Sequence, residues 1–169
     1  MMTFITQKWL IAVLVIVGIL VLLWFIGDKS VKASVSIQTS KEKVWQVLTD
    51  LEAIKDWNKV LIPTNGLLQT GQTISYNFYQ EEGGKAASMD AKVKQIIPGE
   101  LINQTGGIPG VLTFNHRYVL TIKGNETIVT IEEQYRGVMV PFWNPEPVEK
   151  AYERLLESLK GRVIDLHSK

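Results

Sequence analysis

Three patterns of apolar and polar positions divide this 169-residue chain, and each predicts a different kind of element. The first is unbroken. Trp9 to Ile26 reads WLIAVLVIVGILVLLWFI, eighteen positions without a charge. At about 1.5 Å rise per residue, a helix of that length covers roughly 27 Å, close to the hydrocarbon thickness of a bilayer. Trp9 and Trp24-Phe25 stand at its ends, where aromatic rings favour the membrane interface, and Lys8 and Asp28-Lys29 close it off. The run is long for a cleaved signal sequence, and no small-x-small cleavage site follows it. It also lacks the polar face that a soluble helix shows to water. It reads as a single membrane anchor over residues 9–27, after a tail of residues 1–8 and before a short connector, Asp28 to Ser30.

The second pattern alternates. Leu112 to Gly137 reads LTFNHRYVLTIKGNETIVTIEEQYRG, two alternating runs joined at Lys123-Gly124-Asn125-Glu126, which predicts a tight β-hairpin. If Lys123 faces Glu126, then Phe114 faces Tyr135, His116 faces Glu133, Tyr118 faces Ile131 and Leu120 faces Val129. Those pairs share one mostly apolar face, while Asn115 with Gln134 and Arg117 with Glu132 take the other. Val31 to Gln38, Gln72 to Gln80, Ala86 to Ile97 and Glu100 to Thr105 supply further strands. Gly106-Gly107-Ile108-Pro109-Gly110 reads as a flexible loop before the hairpin, and Pro63 and Gly66 as breaks in the chain.

The third pattern recurs every three or four residues. Thr39-Ser40-Lys41-Glu42 fits a capping box that opens a helix burying Val44, Trp45, Leu48 and Leu51. A second short helical stretch follows over Asp50 to Trp57. Near the end, Asn144 suits an N-cap and Pro145 the first helical position. The helix from Pro145 to about Leu166 carries Val148, Tyr152, Leu155, Leu159 and Val163 on one stripe. Such a stripe must lie on something apolar, and the inner face of the sheet is available. The order is a strand, two short helices, a run of antiparallel strands and one long closing helix: an α+β domain over residues 31–169.

Charge and composition narrow the chemistry. With 18 basic and 17 acidic side chains there is no electrostatic case for nucleic-acid binding. The absence of cysteine excludes disulfides, thiolate zinc sites and a cysteine nucleophile. His116 and His167 are the only histidines, so no histidine-rich metal cluster can form, and no metal or cofactor is expected. Lys29, Lys32, Lys41 and Lys43 after the apolar run outnumber Lys8 and the α-amino group before it, which favours a cytoplasmic domain.

One pair stands out on the inner face of the hairpin. Facing strand residues bring their Cβ atoms within about 4.5–5.5 Å, near enough for His116 and Glu133 to make an imidazole–carboxylate contact. In general a carboxylate beside a histidine raises its affinity for protons, while burial lowers it. The pair could serve as a general acid or base, hold the polar end of a ligand, or simply anchor the strands as a satisfied polar couple.

The order of elements resembles the helix-grip fold of the START-like (SRPBCC) superfamily, which includes birch-pollen-allergen-like and polyketide-cyclase-like proteins. SIQTSKEKVWQVLTDLEAIKDWN is similar to that family's opening strand, paired helices and tryptophan. PGELINQTGGIPGVLTFNHRYVL resembles its middle strands and glycine-rich loop, TIVTIEEQYRGVMVPFW its last strand, and AYERLLESLKGRV its closing helix. The resemblance covers about Val31 to Val163 and leaves the apolar N-terminal run outside. It implies a curved antiparallel sheet gripping the long helix over an apolar cavity. The lining it implies is Trp57, Tyr76, Phe78, Met89, Phe114, His116, Tyr118, Glu133, Tyr135, Tyr152, Leu155 and Leu159, with Phe142 and Trp143 near the mouth. The leading expectation is a membrane-anchored module that binds a hydrophobic small molecule or lipid. A cyclase or isomerase using His116 as acid/base with Glu133 orienting it, and a non-catalytic interaction or chaperone module, are the alternatives.

Overall fold

The computed structural model describes residues 2–167. Helix α1 (Met2–Ile26) leads, followed by strand β1 (Asp28–Ile37), helices α2 (Lys41–Thr49) and α3 (Ile54–Trp57), and strands β2 (Leu61–Gly66) and β3 (Thr73–Phe78). Strands β4 (Ala87–Ile97), β5 (Leu101–Ile108), β6 (Leu112–Lys123) and β7 (Glu126–Arg136) come next, then a 3-10 turn at Val140–Phe142 and the closing helix α4 (Glu146–His167). The strands form one antiparallel sheet in the order β1-β7-β6-β5-β4-β3-β2. Its residues shift register between Pro63 and Asn65 and between Val93 and Gln95, and such bulges bend a sheet into a curve.

The hairpin register is the one the alternation predicts. Lys123 pairs with Glu126, Leu120 with Val129, Tyr118 with Ile131, His116 with Glu133 and Phe114 with Tyr135. Every inner residue of those pairs from Phe114 to Leu120 is buried, so one face of the ladder belongs to the core. α4 supplies the other side. Its stripe of Val148, Ala151, Tyr152, Leu155, Leu156, Leu159 and Val163 is buried, and Asn144 Oδ1 caps the helix by accepting from Glu146 N at 3.1 Å.

Several boundaries differ from the sequence reading, each for a physical reason. Residues 2–8 are helix rather than tail, since nothing in that stretch breaks a helix. The connector expected at Asp28 to Ser30 is strand: these residues pair with Arg136, Tyr135 and Gln134, so only Gly27 separates α1 from the domain. The domain therefore starts at Asp28, and its last two residues, Ser168 and Lys169, lie outside the described ones. β2 falls where Pro63 argued for a break; proline is tolerated because β2 is an edge strand that pairs only with β3. Gly106 to Ile108 extend β5 instead of looping, held by pairing with Phe114, Thr113 and Leu112. The helix over Asp50 to Trp57 shrinks to its last turn, Ile54–Trp57. Ser40, not Thr39, is the N-cap of α2 and makes no side-chain cap, and Trp45 is only half-buried.

α1 stands apart from this core. Its segment Lys8–Ile26, 19 residues, is long and apolar enough to cross a membrane, and none of it is buried by the rest of the chain.

Candidate functional site

Three adjacent strands bring Gln104, His116 and Glu133 into one rung, since Gln104 pairs with His116 and His116 with Glu133. All three point inward and are almost fully buried. Buried polar groups need partners, and most of them are found here. His116 Nδ1 lies 3.3 Å from Glu133 Oε2 and donates to it, because the carboxylate is the acceptor. The Tyr152 hydroxyl, carried in from α4, donates closely to the same oxygen, which ties the helix to the sheet. Gln104 Nε2 donates to the Tyr76 hydroxyl at 2.8 Å. The His116 ring stands edge-on to Tyr118 at 4.7 Å and to Tyr152 at 5.2 Å. Only His116 Nε2 of this rung is buried without a protein partner.

The phenols around this rung hold their protons. Burial pushes Tyr76 up to about 12 against the opposing hydrogen bond from Gln104. Burial, and after it the proximity of Glu133, raises Tyr135 and Tyr152 well above the usual phenol range, and burial raises Tyr118 likewise. None of them is poised as a nucleophile at neutral pH. Space is scarce as well. The void beside His116 is about 10 Å³ and a second one, against Trp57 and Tyr118, about 20 Å³. One water needs about 10–15 Å³, so neither void admits a substrate.

Open volume lies on the other side of Glu133 and Tyr152. A cleft of about 330 Å³ is lined by Phe78, Gln80, Met89, Gly107, Ile108, Leu112, Phe114, Glu133, Tyr135, Trp143, Val148 and Tyr152. Its walls are nearly all carbon. Tyr135 packs edge-on to Trp143 at 4.5 Å, and Phe78 meets Tyr152 at 6.1 Å. Gly106 is needed here, because a Cβ would sit 2.4 Å from the Phe114 ring. A second groove of similar volume lies on the outer side of β1, β7 and β6. Its charges answer one another, Glu132 meeting Lys32 at 3.0 Å and Arg117 at 3.4 Å. Among the described residues no three carboxylate or histidine side chains converge as metal ligands would.

The expected lining residues divide accordingly. Phe78, Met89, Phe114, Glu133, Tyr135 and Tyr152 border the cleft, while Tyr76, His116, Tyr118 and Trp57 border only the small voids or, for Trp57, also a groove beside α4. Three need correction. Leu155 and Leu159 are fully buried and line none of these cavities, because the α4 stripe runs from the cleft into closed core over β1 and α2. Phe142 points outward from the 3-10 turn and is 71% exposed. Gln104 was not anticipated. Its signal was present in the sequence, since Gln104 shares the inward face of Ile102 on an alternating strand.

The family described as polyketide cyclase / dehydrase and lipid transport matches residues 28–163. The chain belongs to that family. The match begins at Asp28, the first residue of β1, and leaves α1 outside. Among curated proteins none matches the sequence. Among solved structures, TTHA0849 from Thermus thermophilus is similar at 17% identity, with a TM-score of 0.66 over 82% of this chain and 99% of that one. Ms6760 from Mycobacterium smegmatis gives 11% identity and a TM-score of 0.66, covering 82% and 92%. Ara h 8.0201 gives 12% and 0.63, covering 82% and 99%. Identities this low speak to the fold, and the fold is the helix-grip arrangement of this superfamily.

Proposed function

We propose that this protein is a membrane-anchored module that binds a hydrophobic molecule, of lipid kind, in the cleft between α4 and the mouth of the sheet. The observation that carries the reading is the apolar cleft of about 330 Å³ whose polar side chains are few: Gln80, Glu133 and the hydroxyls of Tyr135 and Tyr152. That volume falls at the lower end of the usual range for small-molecule sites, and a few convergent polar groups on apolar walls are their common makeup. The apolar part of the ligand would fill the space among Phe78, Met89, Leu112 and Trp143. A polar end would meet Glu133 and Tyr135. The family's description, which includes lipid transport, points the same way. α1 supplies the anchor, and Lys29 and Lys32 beside it favour a cytoplasmic domain. Tethering raises the concentration of the cleft near molecules dissolved in the bilayer.

Catalysis by His116 is the weaker reading, because the void at that ring has no room for a substrate. Native mass spectrometry of the full chain released from nanodiscs tests the proposal. One tightly held hydrophobic molecule per chain is the expected result. A chain that emerges empty, after preparation from cells and without delipidation, would sink it.

A further inference from the structure

The exposed apolar side chains of the domain are unevenly placed. Outside α1, nine large ones are exposed among the described residues, and four of these, Ile108, Val111, Met139 and Phe142, stand on two neighbouring segments. Backbone hydrogen bonds clamp those segments together, from Val138 N to Gly110 O at 3.1 Å and from Met139 N to Val111 O at 3.0 Å. The clamp extends to the end of α1, where Gly137 N donates to Gly27 O at 3.0 Å. Contact is so close that a Cβ on Gly27 would come within 2.1 Å of the Gly137 carbonyl oxygen. Lys29 Nζ tightens it further by donating to the carbonyls of Pro141 at 3.3 Å and Trp143 at 2.5 Å.

Distance then decides where the patch must lie. The polar layer on each side of a bilayer's hydrocarbon is only about 5–7 Å deep. Gly27 follows the last apolar residue of α1, so a segment hydrogen-bonded to Gly27 begins inside that layer. Exposed apolar side chains in such a place gain about 25 cal/mol for each Å² they withdraw from water. Amphipathic surfaces at membranes sink about 5–10 Å, to the boundary of headgroups and acyl chains. Ile108 belongs to both the patch and the cleft lining, so the patch borders the cleft's mouth.

We infer that Ile108, Val111, Met139 and Phe142 form a bilayer-docking surface that inserts into the membrane spanned by α1 and holds the mouth of the cleft against lipid. A guest would then pass between bilayer and cleft without crossing water. This rests on reading α1 as a membrane anchor.

The chain has no cysteine, so single introduced cysteines give unique labels. The full chain, reconstituted in vesicles of phosphatidylcholine and phosphatidylglycerol, would carry an environment-sensitive fluorophore at Phe142→Cys, Met139→Cys, Val17→Cys or Ile122→Cys, all exposed positions. Ile122 lies at the far end of β6, ten residues from Leu112, roughly 30 Å away along the strand. Lipids bearing nitroxides on their acyl chains should quench labels at 139 and 142 several-fold more than at 122, and the label at 17 most strongly. If 17 is quenched but 139 and 142 match 122, the docking surface is wrong and the anchor stands. If 17 also matches 122, the anchor reading falls and takes the docking surface with it.

Discussion

The two halves of the interior rest on the same inner face of the sheet and could hardly be more different. Met89, Phe114, Glu133 and Tyr152 form the wall between them, since each borders both spaces. On one side His116, Gln104 and Tyr76 pack with about 10 Å³ to spare, and Tyr118 borders a void of about 20 Å³. On the other, apolar walls leave a cleft of about 330 Å³. Polar groups buried without partners cost a kilocalorie or more each, and protein partners fill space. A polar interior is therefore a closed one. Carbon-lined walls carry no such demand, so they can stay apart until an apolar guest covers them. The lesson is that the chemically conspicuous residues hold the fold, while the room for a ligand lies beside them.

The largest effect should come from cutting the closed half at its shared acceptor. Glu133→Ala leaves His116 Nδ1 and the Tyr152 hydroxyl without the oxygen they share. Leaving a buried donor unsatisfied costs about 1–3 kcal/mol, and here there are two. Glu132→Ala is the control one residue away, on the outer face, where its pairs with Lys32 and Arg117 are partly exposed and worth about 0–1 kcal/mol. Urea unfolding of the full chain in micelles reads both. Equal losses for the two variants would break the contrast, because the inner carboxylate would then hold nothing together.

High pH attacks the same half, together with Tyr135 on the cleft wall, less abruptly. Tyr76 is held up to about 12, and Tyr118, Tyr135 and Tyr152 are raised as well. Below about pH 10, the ordinary phenol value, folded and unfolded chains both keep these protons, so stability does not change. Above it the unfolded chain binds fewer protons than the folded one, and stability falls by about 1.4 kcal/mol per pH unit for each phenol. For Tyr76 the loss runs from about pH 10 to about 12. Tyrosinate absorbance followed beside circular dichroism should show these four phenols ionising together as the helices melt. Separate, gradual ionisation with the helix signal intact would mean that the half is not closed.

Much of this arrangement is legible in the sequence, and what is not follows a pattern. Local period settles the β6–β7 ladder, because a slip of one residue would turn His116, Tyr118 and Glu133 outward all at once. Period also places the α4 stripe. It does not say where along the stripe a cavity ends, which depends on how α4 crosses β1 and α2; hence Tyr152 reaches the cleft and Leu155 does not. Edge strand β2 escapes too, because it needs only one partner and tolerates Pro63. Gly106 to Ile108 look like a loop by composition, but the requirement to seat Phe114 makes glycine a strand residue there. Gln104 was hidden by polarity alone, although its alternation with Ile102 marked it as inward. The turn at Val140–Phe142 carries no period, so the outward aim of Phe142 is settled by the long-range clamp to Gly110 and Val111.

The smallest effect on stability, and the sharpest test of the contrast, comes from adding bulk on each side. Leu112 is half-buried at the start of β6 and lines the cleft, whereas Leu159 is fully buried in closed core. Leu159→Trp must force its indole into packed surroundings, which costs about 1–3 kcal/mol. Leu112→Trp can turn its indole into open volume, so its stability should stay within about 1 kcal/mol of the parent chain. The same indole takes space from the guest, and retention of the co-purifying molecule should fall about tenfold, equivalent to about 1.4 kcal/mol. Unfolding and native mass spectrometry on both variants separate the outcomes. Equal destabilisation would show that the cleft is as tightly packed as the core. A stable Leu112→Trp chain that keeps its ligand would place the binding space somewhere other than between Phe78, Leu112 and Trp143.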